Sequence, residues 1–228
     1  MTLVEQHDAS PPVARAPGQW EAVCRELQRQ IIVGQLKPRE RLVEDDIIAR
    51  QAATRHAVRR AFDELEKLGL VVRRSNRGVQ VRDYTLSEVE ELYEVRECLE
   101  RQAAMRFPFP APDAALERLA ALAGEHERAS RDKRFADIFQ LNNEFHQTLY
   151  SAAGNSSLAE AIRRYTFATH PIRSRAFPSE ELREVAIRDH YSMIEAIRGQ
   201  DRTSLAYLIA EHIKRPMRFY IAQTFIAP

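Results

Sequence analysis

Apolar residues recur every three or four positions through most of this chain, which is the spacing of an amphipathic helix. In the first third, this spacing predicts three helices, over about 20–34, 44–50 and 55–68. Thr54 is a favourable N-cap for the third helix, and Gly69 supplies its C-terminal stop. The first third therefore begins as a small helical unit.

Two short β-like runs follow the third helix. They cover residues 70–73 and 78–81, and residues 75–77 form the turn between them. Three helices followed by a β-hairpin are the architecture of a winged helix-turn-helix. We therefore predict such a domain over residues 18–83, preceded by a disordered arm over residues 1–17, which has three prolines and no periodicity.

Helical spacing continues through the rest of the chain, and no alternating β-like segment interrupts it. The predicted helices cover about 86–107, 113–130, 132–153, 156–175, 180–199 and 202–224. We therefore predict a mainly α protein, in which the winged helix-turn-helix is joined to an all-α antiparallel helical bundle over residues 84–228.

Charge is distributed unevenly between these two parts. Residues 18–82 hold 14 Lys and Arg against 9 Asp and Glu, a net charge of +5, whereas residues 83–228 carry −3. A basic first domain is typical of a protein that meets DNA through that domain alone. No apolar run is long enough for a membrane helix, the first residues do not form a secretory leader, and the two cysteines are isolated. We expect a reduced, cytoplasmic protein without a membrane partner.

The third helix carries a basic surface beside its apolar stripe. Arg55 and Arg59 are four residues apart, as are His56 and Arg60, so the two pairs lie on adjacent faces. In a recognition helix such side chains reach base edges, and Thr54 at the helix start can meet a phosphate. A solvated basic face on a structural helix is the alternative. The hairpin adds three arginines that would follow the DNA backbone or the minor groove: Arg73, Arg74 and Arg77.

Four polar residues interrupt the apolar stripes of three predicted bundle helices. Asn142 and His146 share one stripe, and His190 and His212 lie on the stripes of the last two helices. Burying such groups without partners costs about 1–3 kcal/mol each. A shared metal ion, bound by neutral imidazoles and an amide oxygen, would satisfy all four together. Taken singly, each is better explained as a hydrogen-bonded core residue.

Arg96 is a further exception, on the apolar stripe of the first bundle helix beside Tyr93 and Leu99. A buried arginine needs an anion. Glu100, four residues later, or a bound ligand could supply it, so the sequence leaves both a structural ion pair and a ligand site open. Tyr93, Arg96 and Glu100 are therefore candidate effector-binding residues.

Residues 31–81 resemble the GntR family of bacterial regulators without a gap. The matching segments are IIVGQLKPRERLVE, TRHAVRRAF, LGLV and RGVQV. The resemblance implies a homodimer on a short palindromic operator, with Arg55 and Arg59 contacting bases and phosphates and Gly78 in the wing. Two departures concern the DNA surface: Arg60 replaces a glutamate, and Asp45 stands where some members carry a DNA-contacting arginine.

Most of residues 86–214 is similar to the FCD effector-binding domain found in the FadR branch of that family. The similarity rests on SEVEELYEVRECLE at 87–100, NNEFH at 142–146, and the later histidines at 190 and 212. It implies a divalent metal, zinc or nickel by ligand chemistry, on Asn142, His146, His190 and His212, with a small organic acid as effector. Most members have Asp at the first position, so Asn142 removes one negative charge.

Together these patterns predict a DNA-binding transcription regulator, a repressor by the family's commoner mode. An organic acid in a metal-containing pocket would set its affinity for double-stranded operator DNA, and it would work as a homodimer at the bacterial nucleoid. Two alternatives remain open: a constitutive DNA-binding protein whose metal only stabilises the bundle, and a metalloenzyme. No Asp or Glu on the same stripes is expected beside the predicted ligands as a general base, which argues against an enzyme.

Overall fold

The computed structural model describes residues 18–32, 34–74 and 78–226 of the 228-residue chain. The predicted arm over residues 1–17 and the predicted wing turn over residues 75–77, which contains Arg77, lie outside the described residues. Helices dominate the described part, as the apolar spacing predicts.

The first domain has the predicted three helices and wing. Its elements are α1 (Gln19–Ile32), β1 (Arg41–Leu42), α2 (Glu44–Gln51), α3 (Arg55–Lys67), β2 (Val71–Arg74) and β3 (Gly78–Val81). Strand β1 was not predicted. It pairs antiparallel with β3, so the sheet has three strands in the order β1-β3-β2. A strand of two residues has no readable alternation, which is why periodicity missed it.

One hydrophobic core holds this domain together and fixes the direction of α3. The apolar stripe of α3 is inaccessible to solvent, as predicted: Val58, Ala61, Phe62 and Leu65 are each at most 1% exposed. Burying a large apolar side chain contributes about 1.5–3 kcal/mol. This stripe therefore anchors α3 on the core and leaves its opposite face to solvent.

The second domain is a bundle of helices. They are α4 (Leu86–Arg106), α5 (Asp113–Arg131), α6 (Phe135–Ser151), α7 (Ser156–Ala168), α8 (His170–Arg173), α9 (Glu180–Arg198) and α10 (Arg202–Ile221). Helix α10 packs on α4 and α9, and α5 packs on α6 and α9. Four of these helices, α4, α6, α9 and α10, therefore converge around one interior. In the part of the chain that the structure describes, no helix is both long and apolar enough to span a bilayer.

The prediction of one helix over residues 156–175 is wrong. The chain breaks at Thr169, between α7 and the short α8. Pro171 explains the break, because proline has no N–H to donate to the carbonyl of Phe167 and cannot continue the helix. The break makes α8 a separate element, and it buries both His170 and Arg173.

Tyr84 joins the two domains. Its hydroxyl donates to the backbone carbonyl of Gly69, 3.2 Å away just after α3, and to that of Ala168 at the end of α7. Helix α1 also contacts α6 and α8. The first domain thus rests on the α7–α8 corner of the bundle.

Candidate metal centre and nucleic-acid interface

Helix α3 presents the residues predicted to read DNA. Thr54 caps it, because its side-chain oxygen accepts a hydrogen bond of 3.2 Å from the backbone N–H of Ala57. Arg55, His56 and Arg59 follow in the first two turns, and all three are exposed. The capped N-terminus and its cations thus face solvent, as a DNA-reading surface requires.

Two acidic residues of α2 pair with the arginines of α3. Arg55 Nη2 lies 2.6 Å from Asp45 Oδ1, and Arg59 Nε lies 3.1 Å from Glu44 Oε2. The arginine side chains stay 55% and 61% exposed, so each pair is worth at most about 1 kcal/mol. A DNA phosphate or a guanine base can therefore displace these carboxylates at low cost.

The remaining predicted DNA residues are arranged differently. Arg60 is exposed as well, and its guanidinium lies 4.2 Å from the ring centroid of Trp20 on α1. Arg73 pairs with Asp63 and Glu66 of α3. Two predicted wing residues are exposed on the strands: Arg74 and Gly78, which has a φ of +71°.

Three of the four predicted metal ligands converge. Nε2 of His146 on α6 lies 3.0 Å from Nε2 of His212 on α10 and 3.3 Å from Nε2 of His190 on α9. The three ligand atoms lie within 4.8 Å of one another. Two nitrogens bound to one tetrahedral zinc at about 2.05 Å stand about 3.3 Å apart. The spacing of these imidazoles therefore fits a single ion.

Hydrogen bonds to Nδ1, on the side of the imidazole away from the cluster, orient two of the three rings. His212 Nδ1 lies 3.1 Å from Asp189 Oδ2, and His146 Nδ1 lies 3.3 Å from the Tyr150 hydroxyl. With Nδ1 engaged, Nε2 points into the cluster, which is the arrangement around metal-bound imidazoles. Burial holds the pKa of His146 and of His190 well below the usual range, so both rings are neutral, as metal ligands must be.

A cavity of about 70 Å³ lies beside this cluster. Asn142, one turn before His146, lines the cavity and is 7% exposed, so the fourth predicted ligand faces the same space. His126 of α5, which was not predicted, also lines it, with its ring centroid 4.9 Å from that of His190. Burial, and then the charge of His212, lower the pKa of His126 to about 4. His126 therefore lies beside the cluster of three histidines and is not one of its converging ligands.

A buried polar network forms a further wall. Arg96 Nη2 lies 2.8 Å from Glu100 Oε1, and Arg96 Nη1 donates to Thr169 Oγ1 at 3.0 Å. Glu100 also accepts a hydrogen bond from the Tyr150 hydroxyl. The structural Arg96–Glu100 pair that the sequence left open is thus present, and both residues line the cavity. Tyr93 differs from the prediction, because it packs in a hydrophobic cluster beside Arg96 and outside the cavity wall.

Comparison with known protein families identifies the family to which this chain belongs. The family model for bacterial regulatory proteins of the gntR family matches residues 19–81, and the model for the FCD domain matches residues 91–215, which is more than half of the chain. The chain belongs to the GntR family of regulators, with an FCD domain.

Proteins similar to this GntR regulator are transcription regulators as well. It is 24% identical over 214 residues to the HTH-type transcriptional regulator YdfH of Escherichia coli, across 94% of this chain and 91% of the relative. It is 23% identical to the HTH-type transcriptional repressor RspR of E. coli K12, with the same coverage. Among solved structures, E. coli McbR/YncC superposes with a TM-score of 0.77 at 19% identity, over 91% of this chain and 99% of that one. The family thus makes the protein a transcription regulator and not an enzyme.

Several polar residues of this GntR regulator's cavity were missed from the sequence, among them His126, Arg173 and Asp189. Asp189 directly precedes His190 and is not on the apolar stripe that the prediction considered, yet its Oδ2 lies 3.1 Å from Nδ1 of His212. Arg173 lies on α8, where the helix prediction failed. His126 could have been found, because it interrupts the core spacing of Leu122 and Ala129 as His190 does on α9.

Proposed function

We propose that this protein is a homodimeric repressor of the FadR branch, whose affinity for a palindromic operator is controlled by a small organic acid bound at a metal ion. One observation carries the proposal. Three imidazole Nε2 atoms converge beside an arginine-lined cavity, in the same chain as a capped DNA-reading helix. A regulator that senses a metabolite without a partner protein needs both sites.

The metal would be held by Asn142, His146, His190 and His212, and three nitrogens with one oxygen suit zinc or nickel. When bound, the ion would offer its open coordination positions to a ligand carboxylate. None of these four ligand side chains would bring a negative charge to the ion. The positive charge of the ion would therefore favour an anionic ligand in the cavity.

On the DNA side, Arg55, His56 and Arg59 would enter the major groove, where arginine pairs best with guanine. A homodimer would place two such helices on the two halves of a palindrome. Glu44 and Asp45 hold Arg55 and Arg59 only weakly. They would disfavour wrong sequences, because an arginine that finds no base partner returns to its carboxylate.

Helix α8 would connect the two sites. Arg173 at its end lines the cavity, and α8 contacts α1 of the DNA-binding domain. An acid in the cavity can change operator affinity only if it binds the DNA-competent and incompetent arrangements differently. A shift of α8 against α1 is the structural difference we propose.

Elemental analysis of untagged protein, purified without chelators, tests the metal. We expect about one zinc or nickel ion per chain, its loss in His146→Ala, and its retention in His56→Ala, since His56 is an exposed DNA-domain residue. Equal metal content in all three proteins would contradict the ligand assignment. Absence of metal from wild type loaded with zinc or nickel would contradict the metal centre.

Operator binding tests the DNA and effector halves. A duplex selected from random sequences by the wild-type protein is titrated with Arg59→Ala, and with Arg198→Ala as an exposed control on α9. Loss of a base contact costs about 1–3 kcal/mol, or roughly 5- to 150-fold in Kd, and the control should bind as wild type. Addition of lactate or malate to the metal-loaded protein should then weaken operator binding. Affinity that neither acid changes would favour the constitutive, metal-stabilised alternative.

A further inference from the structure

Four arginines line the cavity beside the histidine cluster, and they are not equally neutralised. Arg96 pairs with Glu100 at 2.8 Å, and Arg215 Nη1 lies 3.1 Å from Asp189 Oδ2. These two arginines each have a carboxylate. Glu100 and Asp189 are the acidic residues in the described part of the cavity wall. Each of them is therefore already paired with an arginine.

The other two arginines have only neutral partners in the described part of the chain. Arg183 donates to the backbone carbonyls of Phe177 at 2.7 Å and Pro178 at 3.0 Å. Arg173 donates from both Nη atoms to one amide oxygen, Oδ1 of Asn143, at 3.2 Å each. The wall therefore carries two cations that no carboxylate of the described chain balances.

Arg173 is the one of the two whose partner, Asn143, directly follows the predicted metal ligand Asn142. It is 7% exposed and lines the cavity, and its guanidinium lies 5.9 Å from the centroid of the Phe139 ring. Burial, and then the charge of Arg96, lower the pKa of Arg173 to about 10. A buried cation without an anion costs several kcal/mol. An anionic group of a bound ligand would supply the missing charge through charge-assisted hydrogen bonds.

We propose that Arg173 is the anchor for a second anionic group of the effector, so that the effector is a dianion and not a simple monocarboxylic acid. This inference rests on the proposed function, because the first carboxylate is the one assigned to the metal centre. Arg173 would receive either a second carboxylate or a phosphate, and its planar guanidinium can bind either one in bidentate geometry. Asn143 would hold the guanidinium in place for it.

The size of the site limits the length of that dianion. The cavity measures about 70 Å³, and its walls hold both His146 and Arg173. Both anchors therefore face one small space, and a short hydroxy acid is the class of ligand that we expect to bridge them. A wider pocket of about 670 Å³ shares Asn143, His146, Tyr150 and Thr166 with this cavity.

Calorimetric titration of the metal-loaded, full-length protein tests the inference with two matched pairs of acids. Malate adds one carboxylate to lactate, and 3-phosphoglycerate adds one phosphate to glycerate. We expect the dianion of at least one pair to bind about ten- to a hundredfold more tightly than its partner, as one buried charge-assisted pair provides. The pair that shows the preference identifies the group as carboxylate or phosphate.

Arg173→Met should remove this preference, so that the two acids of a pair bind with about the same affinity. Arg175→Met, an exposed arginine of the following turn, serves as the control and should keep it. A second readout separates a ligand anchor from a structural residue. Without any acid, Arg173→Met should unfold at a temperature no lower than wild type, because the variant no longer buries an unbalanced charge, whereas loss of a structural arginine lowers the Tm.

The outcomes for this inference and for the proposed function are distinct. Equal binding of both acids in each pair, or a preference that survives Arg173→Met, overturns the inference, while release of the operator by lactate still supports the proposed function. A dianion preference without any effect on operator binding supports Arg173 as the anchor and contradicts effector control. If none of the four acids binds, the inference and its carboxylate premise are both overturned.

Discussion

Lowering the pH should reduce the unfolding free energy of this protein, because the His126 ring is buried. Its side chain is 2% exposed on α5 beside the ring of His190, and its Nδ1 has no hydrogen-bond partner within the described chain. Burial lowers the pKa of His126 from 6.5 to about 4. Protonation of this ring is thus disfavoured in the folded protein, whereas the same ring is readily protonated once the chain unfolds.

The direction of the effect follows from proton binding. Between pH 6.5 and 4 the unfolded chain holds a proton on His126 that the folded chain does not, so stability falls as the pH falls through this window. Each pH unit is worth about 1.36 kcal/mol per proton. Lowering the pH from 7.5 to 4.5 should therefore remove about 2.5 kcal/mol of stability through His126 alone. His146 and His190, also buried with lowered pKa values, add to the loss.

Urea unfolding, followed by circular dichroism at several pH values, measures this difference. The metal-free protein is used, so that only protons compete for the rings, and wild type is compared with His126→Leu and with the exposed control His56→Leu. The stability of His126→Leu should fall about 2.5 kcal/mol less than that of wild type between pH 7.5 and 4.5. Parallel stability curves for wild type and His126→Leu would refute the reasoning, whatever their offset at neutral pH.

Three further changes have defined outcomes. Glu100→Gln removes the carboxylate that balances buried Arg96 and should cost about 3 kcal/mol of unfolding free energy in urea, a result that an unchanged midpoint would contradict. Asp189→Asn weakens the hydrogen bond that orients His212 and should lower metal affinity about 10- to 100-fold in a competition with a chelator. Thr54→Ala deletes the cap of α3 and should destabilise the DNA-binding domain by about 1 kcal/mol, whereas equal urea midpoints would show that the cap contributes nothing.

The sequence by itself determined the elements that depend on local spacing. The apolar stripe of α3 and its cap at Thr54 are properties of neighbouring residues, and both lie where they were predicted. The same reasoning predicted that His146, His190 and His212 lie in one interior, because polar residues on apolar stripes must be buried together. Periodicity predicts which face of a helix is buried, and this information was sufficient to predict that these residues are buried.

Only the tertiary structure decided which buried faces meet one another. Arg173 and Asn143 are 30 residues apart, and the separate helix that carries Arg173 exists because Pro171 ends α7. Asp189 on α9 orients His212 on α10, and the residue pattern of neither helix alone predicts this contact. Helical spacing fixes directions within one element, whereas charge balance depends on distances between elements. The lack of a carboxylate beside Arg173 and Arg183 is therefore a property of the assembled bundle.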